Sequence, residues 1–552
     1  MQKTCRQCSA PFGIFPEDKK FYREMGVPEP ALCPFCRMIR RLAYRNERHL
    51  YHRKCDLTGR QIISAFSTDK PFPVYSIDAW WSDDWDPLSF GREFNMSRPF
   101  FGQFFELRDR VPRMALQQQQ PMENSEYCNC ASKNRNCYLI FSSNRSEECY
   151  YGSWINDARN CIDNLNLDQC DLCYECVSCR SCYRLLWSRD CINCSDSAFL
   201  RSCTGCKNCF GGSNLVNRQY VVFNVQKTKE QYEAFLKEVN VGSFAVVERI
   251  REKVDAELAD LKAKEYHGAN IEASSGDYLR DCRRAHLCFE CDRCEDVRYC
   301  QCIYDARDCM DHSYWGGRAE RCYDCQACGY DLHDLKFCNL CWSGCSDLIY
   351  CDHCFSCQYC FGCVSLKKKQ YCIFNRQYSR EEYENLVPQI ITHMKESGEW
   401  GQFFPVAQSP FAYNESLAQE HDPLPKTEVV RRGWQWHEEE DGRKENYLGP
   451  PVIAPDDILN VPDAICSQIL TCSVTGRPFK IIPQELKFYR ETGIPLPRRC
   501  PDQRHAERMS LRNPRTLWKR TCAKCQKSIE TSYAPERPEK VYCEECYLKE
   551  VY

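Results

Sequence analysis

The chain has no apolar run near the ~18 residues that a membrane-spanning helix needs, so no transmembrane segment is expected. No apolar stretch follows the opening residues MQKTCRQCSAPF, so no signal peptide is expected and the chain is read as cytoplasmic. Excess charge is lacking too. The 74 Lys and Arg nearly balance 77 Asp and Glu, and a net charge of −3 gives no global pull toward nucleic acid or membrane. The signatures G-x4-G-K-[ST], G-x-G-x-x-G, H-E-x-x-H and G-x-S-x-G are missing, so a non-enzymatic chain is expected, with no small-molecule substrate identified. A disordered polymer is excluded by a hydrophobic content of 43% and an aromatic content of 13%.

What is abundant is cysteine, with 46 among 552 residues. In a reducing compartment such thiols bind metal or pack in cores more often than they form disulfides.

The two ends of the chain repeat one another. Residues 5–79 align with 472–546 at a constant offset of 467, with 27 identities in 75 pairs. The clearest match is KFYREMGVPEPALCP (20–34) against KFYRETGIPLPRRCP (487–501). Each copy has places for two four-ligand sites. Cys5, Cys8, Cys33 and Cys36 form two C-x2-C knuckles, the spacing that gives zinc four thiolates. Their C-terminal counterparts are Cys472, Thr475, Cys500 and Gln503, a site that has lost two ligands. The second site reverses this. Cys522, Cys525, Cys543 and Cys546 are complete, whereas Cys55, Thr58, Ser76 and Ala79 keep one thiol. Two structural Zn2+ ions are therefore expected, each stapling a module with few apolar residues of its own.

Between the knuckles the chain is basic. RMIRRLAYRNERHLYHRK (37–54) holds seven Lys and Arg, and 497–520 holds eight, interleaved with Tyr44, Tyr51 and Trp518. Arg40, Arg41, Arg45, Arg48, Arg504, Arg508, Arg512 and Arg515 suit phosphate contact and base stacking, hence RNA. They equally suit a solvated helix whose arginines pair with the chain's own carboxylates, or an acidic protein partner.

Thirty-four cysteines lie between 128 and 372, many of them twelve apart: Cys137, Cys149, Cys161 and Cys173, or Cys170, Cys182, Cys194 and Cys206. A short fixed period with small apolar residues in set columns indicates a β-solenoid, expected here as two strands and two tight turns per coil. The period returns at 278–378 with one-residue slips, as from Cys309 to Cys322. The thiols can be packing, as small buried hydrophobes. They can also be ligands: Cys170, Cys173, Cys176 and Cys179, or Cys351, Cys354, Cys357 and Cys360, could converge on zinc or an iron–sulfur cluster. Zinc or copper storage in the solenoid, or a thiol redox enzyme, are then the alternative functions. Ser, Ala, Leu and Ile replace Cys within the columns, which favours packing. Among His286, His312, His333, His353 and His505, near Cys runs, His312 stands out. It falls where the twelve-spaced column would continue from Cys300, which makes it the best mixed-ligand candidate.

The expected organisation is mainly β with helical connectors. Zinc-ribbon-like modules occupy 1–86 and 466–552, and Cys-lined solenoids occupy 128–226 and 278–378. An aromatic helical connector spans 87–127, a helical linker 227–277, and a helix with a Pro/Trp-rich connector 379–465. The aromatic cluster Trp80, Trp81, Trp85, Phe100, Phe101, Phe104 and Phe105 is expected to be a docking core, and the two end modules are expected to meet as a pseudo-dimer.

The runs CPFCRMIRRLAYRNERHLYHRKCD, FFPVAQSPFAYNESLAQE and RRCPDQRHAERMSLRNP resemble a family of uncharacterised Cys-rich zinc-ribbon proteins of candidate-phylum bacteria. The resemblance spans nearly the whole chain and implies this architecture and zinc, with no established activity. The expected function is a zinc-binding scaffold that contacts RNA or an assembly partner through the Arg-rich segments.

Overall fold

The computed structural model describes residues 2–257, 261–330, 332, 334–438 and 452–551; His333 lies outside the described residues. The middle of the chain is a pair of β-solenoids. From Cys130 to Phe223 every third residue has a left-handed backbone, with φ between 45° and 66°. The residue after each one points inward, as in Cys137, Ile140, Ser143, Ser146 and Cys149, all buried. Four three-residue sides therefore close one coil of twelve. Parallel pairing confirms the step: Tyr138 lies beside Tyr150, Leu165 beside Val177, and Tyr183 beside Ser195. The expected two strands and two turns per coil are thus corrected to four short sides with a bend at every corner. Asn and Asp hold many of the corners, which suits a conformation that costs other L-residues ~1–2 kcal/mol. Corner amides are satisfied by the neighbouring coil, as when Asp163 N donates to Tyr150 O at 3.0 Å.

The second solenoid uses the same corners but changes step. His312 pairs with Cys325, Gln326 with Asn339, and Asn339 with Asp352, each thirteen residues on, before Ser346 pairs with Gln358 at twelve. The first of the added residues is absorbed at Trp315–Gly316–Gly317, where φ reaches +84°, +108° and +83°. Each solenoid ends in a tight reversal and a helix with a capping box: Thr228 before Lys229–Glu238, and Ser379 before Arg380–Glu396.

The end modules have the same plan. A hairpin (Gln2–Thr4 with Pro11–Gly13) precedes helices Pro16–Glu24 and Pro34–Leu42, and a second hairpin follows, Tyr51–Lys54 with Gln61–Ser64. The C-terminal copy has Leu470–Thr471 with Pro478–Phe479, helices Pro483–Thr492 and Pro501–Ser510, and Trp518–Thr521 with Ser528–Thr531. The aromatic cluster is a docking core on the second solenoid. Phe100 sits 5.1 Å from Tyr350 and 5.5 Å from Phe361, and Trp80 sits 5.1 Å from Phe355, measured between ring centroids. Among the described residues, no helix is long and apolar enough to cross a membrane.

Candidate metal centres

Each intact quartet gathers where two knuckles face each other. The Sγ atoms of Cys5, Cys8, Cys33 and Cys36 all lie within 4.8 Å of one another, as do those of Cys522, Cys525, Cys543 and Cys546. Cys8 and Cys33 are 3.7 Å apart, and so are Cys525 and Cys543. Four sulfurs at ~2.3 Å from one tetrahedral zinc would stand ~3.8 Å from each other, so this spacing fits the ion. Backbone amides already point at the sulfurs: Cys33 N reaches Cys5 Sγ at 3.3 Å and Cys36 N reaches Cys33 Sγ at 3.4 Å. Hydrogen bonding from Cys36 pulls the Cys33 thiol down to about 5 despite its burial, which favours the thiolate that a metal needs. In each quartet three thiols are largely buried and one, Cys8 or Cys525, is exposed.

The degenerate sites keep the knuckle shape without the ligands. Thr475 Oγ1 stands 3.8 Å from Cys500 Sγ, taking the place of the Cys8–Cys33 contact. At the other, Ser76 N donates to Cys55 Sγ at 3.3 Å and Ala79 N to Ser76 Oγ at 3.3 Å.

The solenoid quartets behave differently. Cys170, Cys173, Cys176 and Cys179 each follow a left-handed corner and fill four successive inward positions of the first solenoid, and Cys351, Cys354, Cys357 and Cys360 do the same in the second. Among the described residues ligand atoms gather within 4.8 Å in three groups, and neither quartet is one of them. The C-x2-C spacing here is the step from one inward position of the coil to the next. These thiols are instead donors to backbone: Cys176 Sγ to Leu185 O at 3.2 Å, Cys354 Sγ to Cys363 O at 3.6 Å. The third group, Cys309, His312 and Cys322, lies inside the second solenoid.

The arginine helices do not face solvent. Of the eight arginines assigned to nucleic acid, seven are buried, and Arg48 is 13% exposed at its side chain. Arg37 Nε binds Asp311 Oδ2 at 2.9 Å, and Arg41 Nη1 reaches Asp311 Oδ1 at 3.2 Å and Asp324 Oδ1 at 3.0 Å; Arg40 also pairs with Asp324. In the C-terminal copy the aligned Arg504 and Arg508 both bind Asp163, Arg508 at 3.1 Å. Asp311 and Asp163 are themselves equivalent, each at a left-handed corner of its solenoid and fully buried. Burial pushes both carboxyls up, and the arginines oppose it. The second half of each set reaches the other solenoid. Arg45 Nη2 donates to Ser142 Oγ at 2.9 Å, and Arg512 and Arg515 bind Glu290 at 2.9 and 2.8 Å. Arg48 caps the Phe141 ring at 5.0 Å and meets Asp502 of the other ribbon at 3.3 Å. The phosphate-contact reading of these residues is therefore corrected. They are internal clamps, and each ribbon grips both solenoids about a pseudo-twofold.

Of the other histidines, His353 Nδ1 lies 2.7 Å from Asp352, His505 Nε2 lies 3.3 Å from Glu420, and His286 Nδ1 lies 3.2 Å from Ser275 Oγ, each a structural contact. The composition signal missed Asp163, Asp311, Asp324 and Glu290, the carboxylates that give the arginines their role. No protein-family model and no curated protein matches the chain.

Proposed function

We propose that the chain is a zinc-stapled, non-catalytic scaffold in which two terminal ribbons lock a pair of Cys-packed solenoids into one rigid body. The convergence of four sulfurs within 4.8 Å in each ribbon carries this reading. Neither quartet leaves an open ligand position, the mark of a structural rather than a catalytic zinc. The clamp arginines add the second half of the argument. Cys33 and Cys36 bind at the start of the helix that carries Arg37 and Arg41, so metal in the quartet fixes the register with which those guanidiniums meet Asp311. An RNA or an acidic protein, if it is the partner, meets other surfaces than these arginines.

Zinc content of protein purified without chelator tests the proposal. It falls by one ion per chain in Cys525→Ser and by one in Cys8→Ser. Unchanged zinc in both variants refutes it. Chelation of the wild type is expected to expose Pro34–Leu42 and Glu544–Val551, the helices that start at the two intact quartets, to protease.

A further inference from the structure

Three more ligand atoms converge inside the second solenoid. One nitrogen of His312 and the Sγ atoms of Cys309 and Cys322 lie within 4.8 Å of one another. His312 and Cys322 are fully buried and Cys309 is 1% exposed. An imidazole is foreign to this ladder. The coil-to-coil neighbours of His312 in its column are Cys288, Cys300, Cys325, Cys338 and Cys351, all thiols.

Its hydrogen bonding fixes its chemistry. His312 Nε2 lies 3.0 Å from the carbonyl oxygen of Cys328. A carbonyl only accepts, so Nε2 carries the hydrogen. In the uncharged tautomer with its hydrogen on Nε2, Nδ1 bears a lone pair. That nitrogen is buried and has no hydrogen-bond partner. An imidazole that donates one N–H to a backbone carbonyl and leaves its other, buried nitrogen without a partner in a cluster with two thiols is set up as a metal ligand.

Cys309 is unusual in the same way. Among the described solenoid thiols, each of the others donates its S–H to an oxygen, as Cys300 does to Arg298 O at 3.3 Å and Cys322 to Ala319 O at 3.3 Å. Cys309 has no oxygen acceptor, and its sulfur instead faces those of Cys300 and Cys322. The inward positions half a turn from His312 in sequence hold Ala306 and Ala319, among the smallest residues of this core. The thirteen-residue step from Cys309 to Cys322 begins at this place, so the change of register and the odd ligand coincide.

The geometry points to a third metal centre, built from Cys309 Sγ, Cys322 Sγ and His312 Nδ1 within the solenoid core, that takes Zn2+. Both thiols lose their protons on binding, and two thiolates with a neutral imidazole around Zn2+ give an uncharged centre, which a dry core requires. Cu+ in the same place would leave one negative charge. The three-ligand set leaves a fourth position that only a neutral donor can take if the centre is to stay uncharged. A site closed on all sides loads as the coils fold, so exchange with added metal is expected to be slow.

Native mass spectrometry of the whole chain, refolded anaerobically with Zn2+, is expected to show three zinc ions. His312→Gln is expected to show two. The ribbon variants Cys8→Ser and Cys525→Ser each lose a different ion and keep this one, so failure of the ribbon sites is distinguishable from failure of this one. Two ions in the wild type, or three in His312→Gln, overturns the proposal. If His312→Gln does not fold, zinc X-ray absorption of the wild type decides. The ribbons supply sulfur only, so a nitrogen shell supports His312 and a sulfur-only shell overturns it. Copper in place of the third zinc, in protein as purified, overturns the choice of ion.

Discussion

Asp311→Asn is the sharpest perturbation of the clamp. The carboxylate is fully buried and takes Arg37 at 2.9 Å and Arg41 at 3.2 Å. Arg41 keeps Asp324 at 3.0 Å after the substitution, but Arg37 keeps only the Leu32 carbonyl at 2.7 Å. Removing one partner of a buried pair costs ~3–5 kcal/mol, because the other charge stays desolvated. That cost falls on docking of Pro34–Leu42 and not on the helix itself. Amide exchange reads it directly: at ~1.4 kcal/mol per tenfold, protection of this helix should drop by roughly two to four orders of magnitude. The pseudo-symmetric control is Asp163→Asn. Asp163 is the carboxylate shared by Arg504 and Arg508, with Glu485 3.6 Å from Arg504 as a distant second. It should loosen Pro501–Ser510 and leave Pro34–Leu42 protected. A change of less than tenfold in both helices, or a loss of protection in the wrong one, refutes the clamp.

Acid should weaken the fold through His505, whose pKa burial and the nearby Arg48 lower to about 4. Folded His505 stays neutral where the unfolded chain binds a proton, so its contribution is intact above ~6.5 and falls by at most ~1.4 kcal/mol per pH unit as pH drops toward 4. His505→Gln should flatten denaturation midpoints across that window, and an unchanged slope contradicts the assignment. Cys191→Ser should cost under ~1 kcal/mol, because Ser188 and Ser197 already sit at inward corners and donate to Leu186 O and Ser195 O at 2.8 and 2.7 Å. Cys191→Val, which overpacks a fully buried corner, should cost ~1–3 kcal/mol; denaturant titration that ranks the two the other way removes the packing reading. In the native, metal-loaded chain, alkylation followed by intact mass should label Cys466 first, since Cys130 and Cys302 are pushed up to about 12 by burial. Rapid labelling of many ladder thiols in the folded state would show that the solenoids are not closed.

The twelve-residue period was legible because cysteine marks the inward columns. The three-residue step within it was legible as well, in every C-x2-C of the solenoids, but that spacing has two physical causes. In the ribbons it makes a knuckle, and two knuckles face each other, so four sulfurs meet. In the solenoids it is the distance between successive inward positions, so sulfurs line a wall and, Cys309 apart, each finds an oxygen. Nothing within Cys170–Cys179 separates these cases. The separation comes from the columns, where Ile140, Ser146 and Leu167 take inward places as readily as Cys. His312 was visible for the converse reason: a ring that interrupts a column of thiols needs its own explanation.

The arginines were misleading because charge is local in sequence while its partner is not. Arg41 sits 270 residues from Asp311, and Arg508 sits 345 from Asp163. A window over 37–54 or 497–520 therefore sees cations and aromatics, the composition of a nucleic-acid arm. The self-alignment held the better evidence. Arg37, Arg41, Arg45 and Arg48 recur as Arg504, Arg508, Arg512 and Arg515, whereas Arg40 becomes Glu507. Phosphate contact is tolerant of position, since any cation within a Debye length of ~8 Å contributes. A guanidinium that meets a buried carboxylate is not tolerant, because both charges are desolvated and only good geometry compensates. Identity at the four positions that face carboxylates, aromatics and corners of the two solenoids is the pattern of the second case; Arg53, which recurs as Arg520, bonds within its own ribbon. Tyr151 and Tyr299 repeat it, one donating to Glu485 at 3.0 Å and the other to Asp18 at 2.8 Å. The duplication has thus kept its interface while each ribbon lost a different metal site, which is the order expected if one zinc suffices to hold a ribbon's shape but both halves of the clamp are needed to hold the assembly.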